Sequence, residues 1–225
     1  MKDTLGNYIQ TIGSNAKEQF RDGEVIVQVG KRSLDCYYIT RGCVKVYDLN
    51  SDGTIKTIGI LVRGDMFPLI WGFDDPPETA YYYKAMGDVS VLRFSTDDFK
   101  KGLHADPALS HAAMLQFVNL AWDFMERIKS LQMPYTYEKL LRLLPYLAAK
   151  TGKPRGENSY VIQQKITQEE IAQMIGATRE SISAHLAKLE KNGVITRKKG
   201  IFTIHIDNVP EEYIHQSWFR EMKLY

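Results

Sequence analysis

Residues 176–192 read GATRESISAHLAKLEKN, and the helical spacing of this stretch decides how the rest of the chain is interpreted. Ile182, Leu186 and Leu189 fall on one stripe, while Arg179, Ser183 and Ala187 fall on another. A helix face that meets only water usually carries long Lys and Glu side chains along its whole length. This face is slim, with a guanidinium and the Glu180 carboxylate at its N-terminal end. It has the shape of a surface that approaches something.

The flanking residues place that helix in a motif. In ITQEEIAQMIG (166–176), Thr167 stands as an N-cap with Glu170 three residues on, a capping box, and Gly176 ends the helix. Thr178 caps the next helix, 179–191. Two short helices joined by a tight glycine-containing turn make a helix-turn-helix. VITRKKGIFTIHI (194–206) follows as a hairpin tipped by Lys198, Lys199 and Gly200, a wing. In such a motif the second helix lies in the DNA major groove with its N-terminal residues against base edges. Arg179 can donate two hydrogen bonds to a guanine, and Glu180 can accept one from a cytosine amine. Ser183 and Ala184 leave room for close approach, and Ala184 or Ala187 can touch a thymine methyl. Thr167, Thr178, Lys188, Lys198 and Lys199 are the candidates for holding phosphates, which fixes position without reading sequence. The competing reading makes Arg179 and Glu180 ordinary first-turn surface residues, but it must then explain motif, wing and charge together.

Charge agrees with a polyanionic partner. The formal net charge is +2, but residues 134–225 carry +4 and residues 1–133 carry −2. Double-stranded DNA is therefore the expected partner. The 225 residues suffice for one large domain or two ordinary ones. No apolar run approaches the roughly 20 residues of a membrane span, and the N-terminus lacks a signal-peptide pattern, so a cytoplasmic location is expected.

Upstream of the motif the periodicity is different. EVIVQV (24–29), DCYYIT (35–40), CVKVYDL (43–49), TIKTIGIL (54–61), TAYYYKA (79–85) and VSVLRF (89–94) read as short strands with glycines between them. Asn50–Gly53 is the clearest hairpin turn. Strands so short and evenly spaced suggest a small barrel or roll. From 107 to 133 apolar residues recur in steps of three and four: Leu109, Ala113, Phe117, Leu120, Phe124, Ile128 and Leu131. That is one helix of roughly 40 Å. A seam of this length pairs most simply with a second copy of itself, and covering the roll is the alternative use. Pro134 ends the helix, and 137–152 forms another that Pro145 is expected to kink. The expected fold class is thus α+β: residues 1–106 a β-roll of the double-stranded β-helix kind, 107–133 a dimerisation helix, and 134–225 a winged helix-turn-helix domain.

This order resembles the cAMP-receptor-protein/fumarate-nitrate-regulator (Crp/Fnr) superfamily of bacterial transcription factors. The resemblance covers nearly the whole chain and is most specific at 166–195. The roll is similar too, at GEVI (23–26), YYITRG (37–42), Asp52-Gly53 and Gly64-Asp65. It implies that Arg179 and Glu180 read base pairs of a palindromic half-site, with Ser183 matching a serine used in the Fnr-like branch. Ala184 departs, since that position usually carries an arginine. The implied half-site is of the TGTGA or TTGAT type. In family activators the loop at 150–160 meets RNA polymerase, which becomes a partner here if the protein activates.

The roll departs further. Members that bind cyclic nucleotides resemble one another in carrying a Gly-Glu turn and an Arg-Ser/Thr pair that grips the phosphate. Here Asp65 stands near the glutamate's place, and no arginine occurs between Arg63 and Arg93. An effector other than cAMP, or none, is expected. Phe67, Trp71, Phe73, Tyr81 and Tyr83 are read first as core; with Lys84, the set Phe67, Trp71, Tyr81 and Tyr83 is also the candidate lining of an effector pocket. Cys36 and Cys43 read as packing residues on adjacent strands rather than a redox pair, and two cysteines cannot supply the four ligands of an Fnr-type iron–sulfur cluster. No metal site or cofactor is expected. Neither a phosphate-binding glycine loop, a nucleophile elbow nor paired metal-ligand histidines occur, so an enzyme is not expected. The rival is a sensor module acting through protein contacts without specific DNA binding.

Overall fold

The computed structural model describes residues 4–13, 16–31, 34–69 and 78–215. Two compact units emerge, one of residues 1–54 and 58–124, the other of 55–57 and 125–225.

In the first unit, helix α1 (Thr4–Ile12) precedes strands β1 (Lys17–Phe20), β2 (Val25–Val27), β3 (Asp35–Leu49), β4 (Ile55–Val62), β5 (Met66–Phe67) and β6 (Tyr82–Ser95). The sheet order β1-β6-β3-β4, with β2 on β6 and β5 on β3, builds the roll around the long β3–β6 ladder. Two expected strand pairs prove to be single strands. DCYYIT and CVKVYDL run on as β3, and YYYKA and VSVLRF run on as β6, with register shifts around residues 39–43 in place of turns. Gly42 allows this: it sits at φ +89°, and a Cβ there would collide with the Asp88 carbonyl. Cys36 and Cys43 consequently lie on the same strand, opposite Phe94 and Met86, as buried thiols that form no disulfide. Burial pushes the Cys36 thiol up to about 12. The core joins Ile39, Val44, Val91, Phe94 and Phe99 to Leu109 and Ala113 from the long helix α3 (Pro107–Leu131). Between roll and α3 stands α2 (Thr96–Ala105), capped by Ser95 and not anticipated from periodicity.

The second unit carries the C-terminal part of α3, then α4 (Thr136–Thr151), β7 (Gly152–Pro154), β8 (Ser159–Ile162), α5 (Gln168–Ile175), α6 (Arg179–Lys191), β9 (Ile195–Lys198) and β10 (Ile201–His205). Its sheet runs β7-β8-β10-β9. Helix α4 is continuous through Pro145 and buried from Leu140 to Ala148, so packing on both sides holds a residue that propensity alone would place at a break.

Candidate nucleic-acid interface

The motif is built by its caps. Thr167 Oγ1 accepts from the Glu170 amide, while Glu170 Oε2 accepts from the Thr167 amide at 2.8 Å, closing the capping box. Gly176 ends α5 in the left-handed region at φ 67°, and Thr178 Oγ1 accepts from the Ser181 amide to start α6. Ile182, Leu186 and Leu189 are fully buried, which sets the rotation of α6 about its axis. The opposite face is exposed from Arg179 and Glu180 through Ser183, Ala184 and Ala187. Neither Arg179 nor Glu180 bonds to another described residue, so both heads are available to a ligand.

The five phosphate candidates are not equivalent. Thr167 and Thr178 spend their hydroxyl lone pairs on capping, which leaves first-turn amides as the better donors to an anion. Lys188 places Nζ 4.5 Å from the centroid of the Tyr137 ring, which also faces His185 and whose hydroxyl accepts from Asn192. Lys198 and Lys199 are exposed at the wing. Lys199 and Gly200 both take positive φ, 51° and 81°, giving the two-residue turn that closes β9 on β10. The wing is tied to the motif at two points. The Ile166 amide donates to Gly200 O, and Arg197 forks onto Glu190 at the end of α6 at 3.2 and 2.8 Å. A concavity of about 310 Å3 between wing and α5 is lined by Lys165, Thr167, Gln168, Arg197 and Lys199. Sequence reasoning missed Tyr137, Lys165 and the Arg197–Glu190 fork, since their roles come from contacts between separate elements.

Helix α3 divides its residues differently from the expectation. Leu109 and Ala113 are completely buried in the roll's own core and Leu120 packs partly against it, so the first two do not face a second chain. Phe117, Phe124, Ile128 and Leu131 are exposed, and with them Met114, Val118 and Met125. Met114, Ala121 and Ile128 alternate with Phe117, Phe124 and Leu131 in steps of three and four, the a/d pattern of a coiled coil. The seven periodic positions from Leu109 to Leu131 therefore belong to two faces of one helix.

The candidate effector residues are likewise separated. Phe67 is fully buried and stacks between Tyr37 and Tyr83, with centroid distances of 5.4 and 5.2 Å, as part of the core. Burial raises the pKa of Tyr83 and Tyr37. Lys84 follows Tyr83 on the same strand and so projects to the opposite face, where its register partner is Lys45. Tyr81 is 39% exposed, and Trp71 and Phe73 lie outside the described residues. Asp65 braces its own turn by accepting from the Val62 amide. Among the described residues no cluster of three or more His, Cys, Asp or Glu suits a metal, and no helix is long and apolar enough to cross a membrane.

Family models match both halves of the chain: a cyclic nucleotide-binding domain at residues 17–106 and a Crp-like helix-turn-helix domain at 138–210. The protein belongs to the Crp/Fnr family of DNA-binding transcription regulators. A cAMP-activated global transcriptional regulator CRP of Escherichia coli O157:H7 is 22% identical over 171 residues, 76% of this chain and 80% of the relative. The anaerobic regulatory protein of Bacillus subtilis (strain 168) is 24% identical over 182 residues, 81% and 76% of the two chains. The fold is shared with FixK2 from Bradyrhizobium japonicum (TM-score 0.72, 17% identity, covering 86% of this chain and 96% of that one). It is shared too with the c-di-GMP responsive regulator CLP of Xanthomonas campestris (TM-score 0.73, 14% identity, 89% and 99%). The α+β architecture of roll, long helix and helix-turn-helix is that of the family.

Proposed function

We propose that this family member binds a palindromic DNA site as a parallel homodimer paired along α3, and that cAMP and cGMP are not its effectors. The observation that carries the reading is the start of α6, where Arg179 and Glu180 stand exposed and unpaired above a face of Ser183, Ala184 and Ala187. Arg179 donates to guanine O6 and N7, Glu180 accepts from cytosine N4, and the small residues let the helix sit deep. Lys198 and Lys199 hold the flanking backbone. The exposed a/d seam of α3 supports pairing by a two-fold axis, which a palindrome mirrors.

The effector part rests on charge. A cyclic phosphate in the roll needs a cation, and an unpaired buried charge costs several kcal/mol. Lys84 faces away from Tyr83 and Phe67, and the Asp65 carboxylate adds repulsion. The relatives named as cAMP-activated therefore do not extend that property to this chain. Selection of bound genomic fragments by the purified protein, followed by anisotropy titration of the enriched palindrome against a scrambled control, tests the DNA reading. Equal affinity for both would leave only the protein-contact alternative.

A further inference from the structure

The C-terminal turns of α3 carry a second, polar face. Glu126, Arg127 and Ser130 lie on the side away from Ile128 and Met125, and Arg127 and Ser130 are buried at 5% and 3% exposure. Each of the three reaches a different part of the second unit. Glu126 Oε2 pairs with Arg142 Nη2 of α4 at 2.8 Å, both side chains nearly enclosed, and Arg142 Nη1 donates to Glu212 O. Ser130 Oγ donates to Lys139 O at 3.5 Å. Arg127 Nη2 donates at 2.6 Å to Met174 O, in the last turn of α5 immediately before the Gly176 turn. A weaker bond at 3.2 Å goes to Thr57 O, which belongs to the same unit.

Arg127 is an unusual residue for such a place. Burial lowers its pKa, and Tyr146 acts on it in the other direction. Its counter-charge is the carbonyl end of α5, where Lys139 Nζ also reaches Ile175 O at 3.5 Å. Buried ionic groups are commonly matched or exceeded in stability by apolar packing of the same volume. What a guanidinium adds is direction, because its planar donors fix where the acceptor must sit.

We propose that Arg127, braced by the adjacent Glu126–Arg142 pair, is a positioning residue that fixes the angle at which α3 presents the helix-turn-helix, and thereby the half-site spacing the protein accepts. The proposal rests on the dimeric DNA-binding reading. Two recognition helices must enter major grooves ~34 Å apart, one helical turn, and each base pair added or removed shifts the second groove by ~3.4 Å and roughly 35°. A rigid link from the paired α3 helices makes affinity a steep function of spacing. A loose link makes it shallow, and lowers the peak by reducing the effective concentration of the second motif.

The test uses full-length protein and a palindrome whose spacer is changed by one and two base pairs in either direction. Wild type should lose roughly tenfold or more at a one-base-pair change, whereas Arg127→Met should vary by less than about threefold across the series. The variant's affinity for a single half-site and its dimeric mass should match wild type, which a purely stabilising role for Arg127 also allows; the flattened spacing profile is what that role does not give. Arg127→Lys, which keeps a donor for Met174 O, should restore the optimum. An Arg127→Met profile as steep as wild type overturns the proposal. Should that variant not fold, Arg127→Lys and Glu126→Gln carry the same measurement, and two steep profiles overturn it equally. Wild type that fails to prefer any palindrome over scrambled DNA refutes the function on which this rests, which is a different outcome.

Discussion

Replacing Ile128 by Asp separates the two faces of α3 cleanly. Ile128 is 55% exposed in the single chain, so a carboxylate there stays hydrated and costs the folded monomer little. In the proposed dimer the same position sits at the two-fold seam, facing its own copy. Full burial of such a side chain contributes ~1.5–3 kcal/mol, and about half of it remains to be gained on pairing, hence roughly 1 kcal/mol per protomer. Two carboxylates brought together in an apolar seam add a desolvation and repulsion cost of several kcal/mol. A total near ~5 kcal/mol raises the dimer dissociation constant by about 10³–10⁴. Light scattering on a size-exclusion column at micromolar concentration should then give the monomer mass, with thermal unfolding still cooperative. Specific DNA affinity should fall in parallel, because two half-sites no longer bind as one ligand. Leu109→Asp is the contrast: at 0% exposure it disrupts the roll's core instead. An Ile128→Asp protein that remains dimeric at 1 μM would refute the seam argued from exposure.

Arg179→Ala should cost ~1–3 kcal/mol per half-site and relax preference at one G·C pair, whereas Lys198→Ala should weaken all sequences alike and reduce the salt slope by about 0.9 per contact. Competition titrations at several salt concentrations distinguish the two; an unchanged ratio of specific to scrambled binding in Arg179→Ala removes its base-reading role. Calorimetric titration of cAMP to about 1 mM should show no saturable heat, since Lys84 projects to the face of its strand opposite Tyr83 and a cyclic phosphate beside Tyr83 would lack it as a partner. Micromolar binding coupled to tighter DNA affinity is the contrary result. Cys36 should resist alkylation in the folded protein at pH 8 and react once unfolded, because burial holds its thiol neutral up to about 12. A thiol whose folded pKa is raised contributes stability that is intact below the ordinary value of 9.0 and is lost as pH climbs from there toward 12. Labelling of folded protein at the rate of a free thiol speaks against this.

How far sequence alone reaches here follows the range of the interactions. The capping box at Thr167 and Glu170, the left-handed Gly176, the Thr178 cap and the Ile182–Leu186–Leu189 stripe are set within four or so residues. They appear in the structure as the spacing predicts. The wing tip at Lys199-Gly200 is equally local. A glycine at a strand end, by contrast, reads the same whether the chain turns there or continues with a bulge. Only the Asp88 backbone lying against Gly42 made β3 one strand and put both cysteines on it. Periodicity likewise established that α3 is a helix with apolar residues to bury, but not what each one meets. The roll took Leu109 and Ala113, leaving Met114, Phe117 and Ile128 for another surface. Arg127 and Arg142 look in sequence like any solvated cations of an amphipathic helix. Their burial against Met174 O and Glu126 exists only because helices distant in the chain close over them, and one-dimensional spacing carries no record of that.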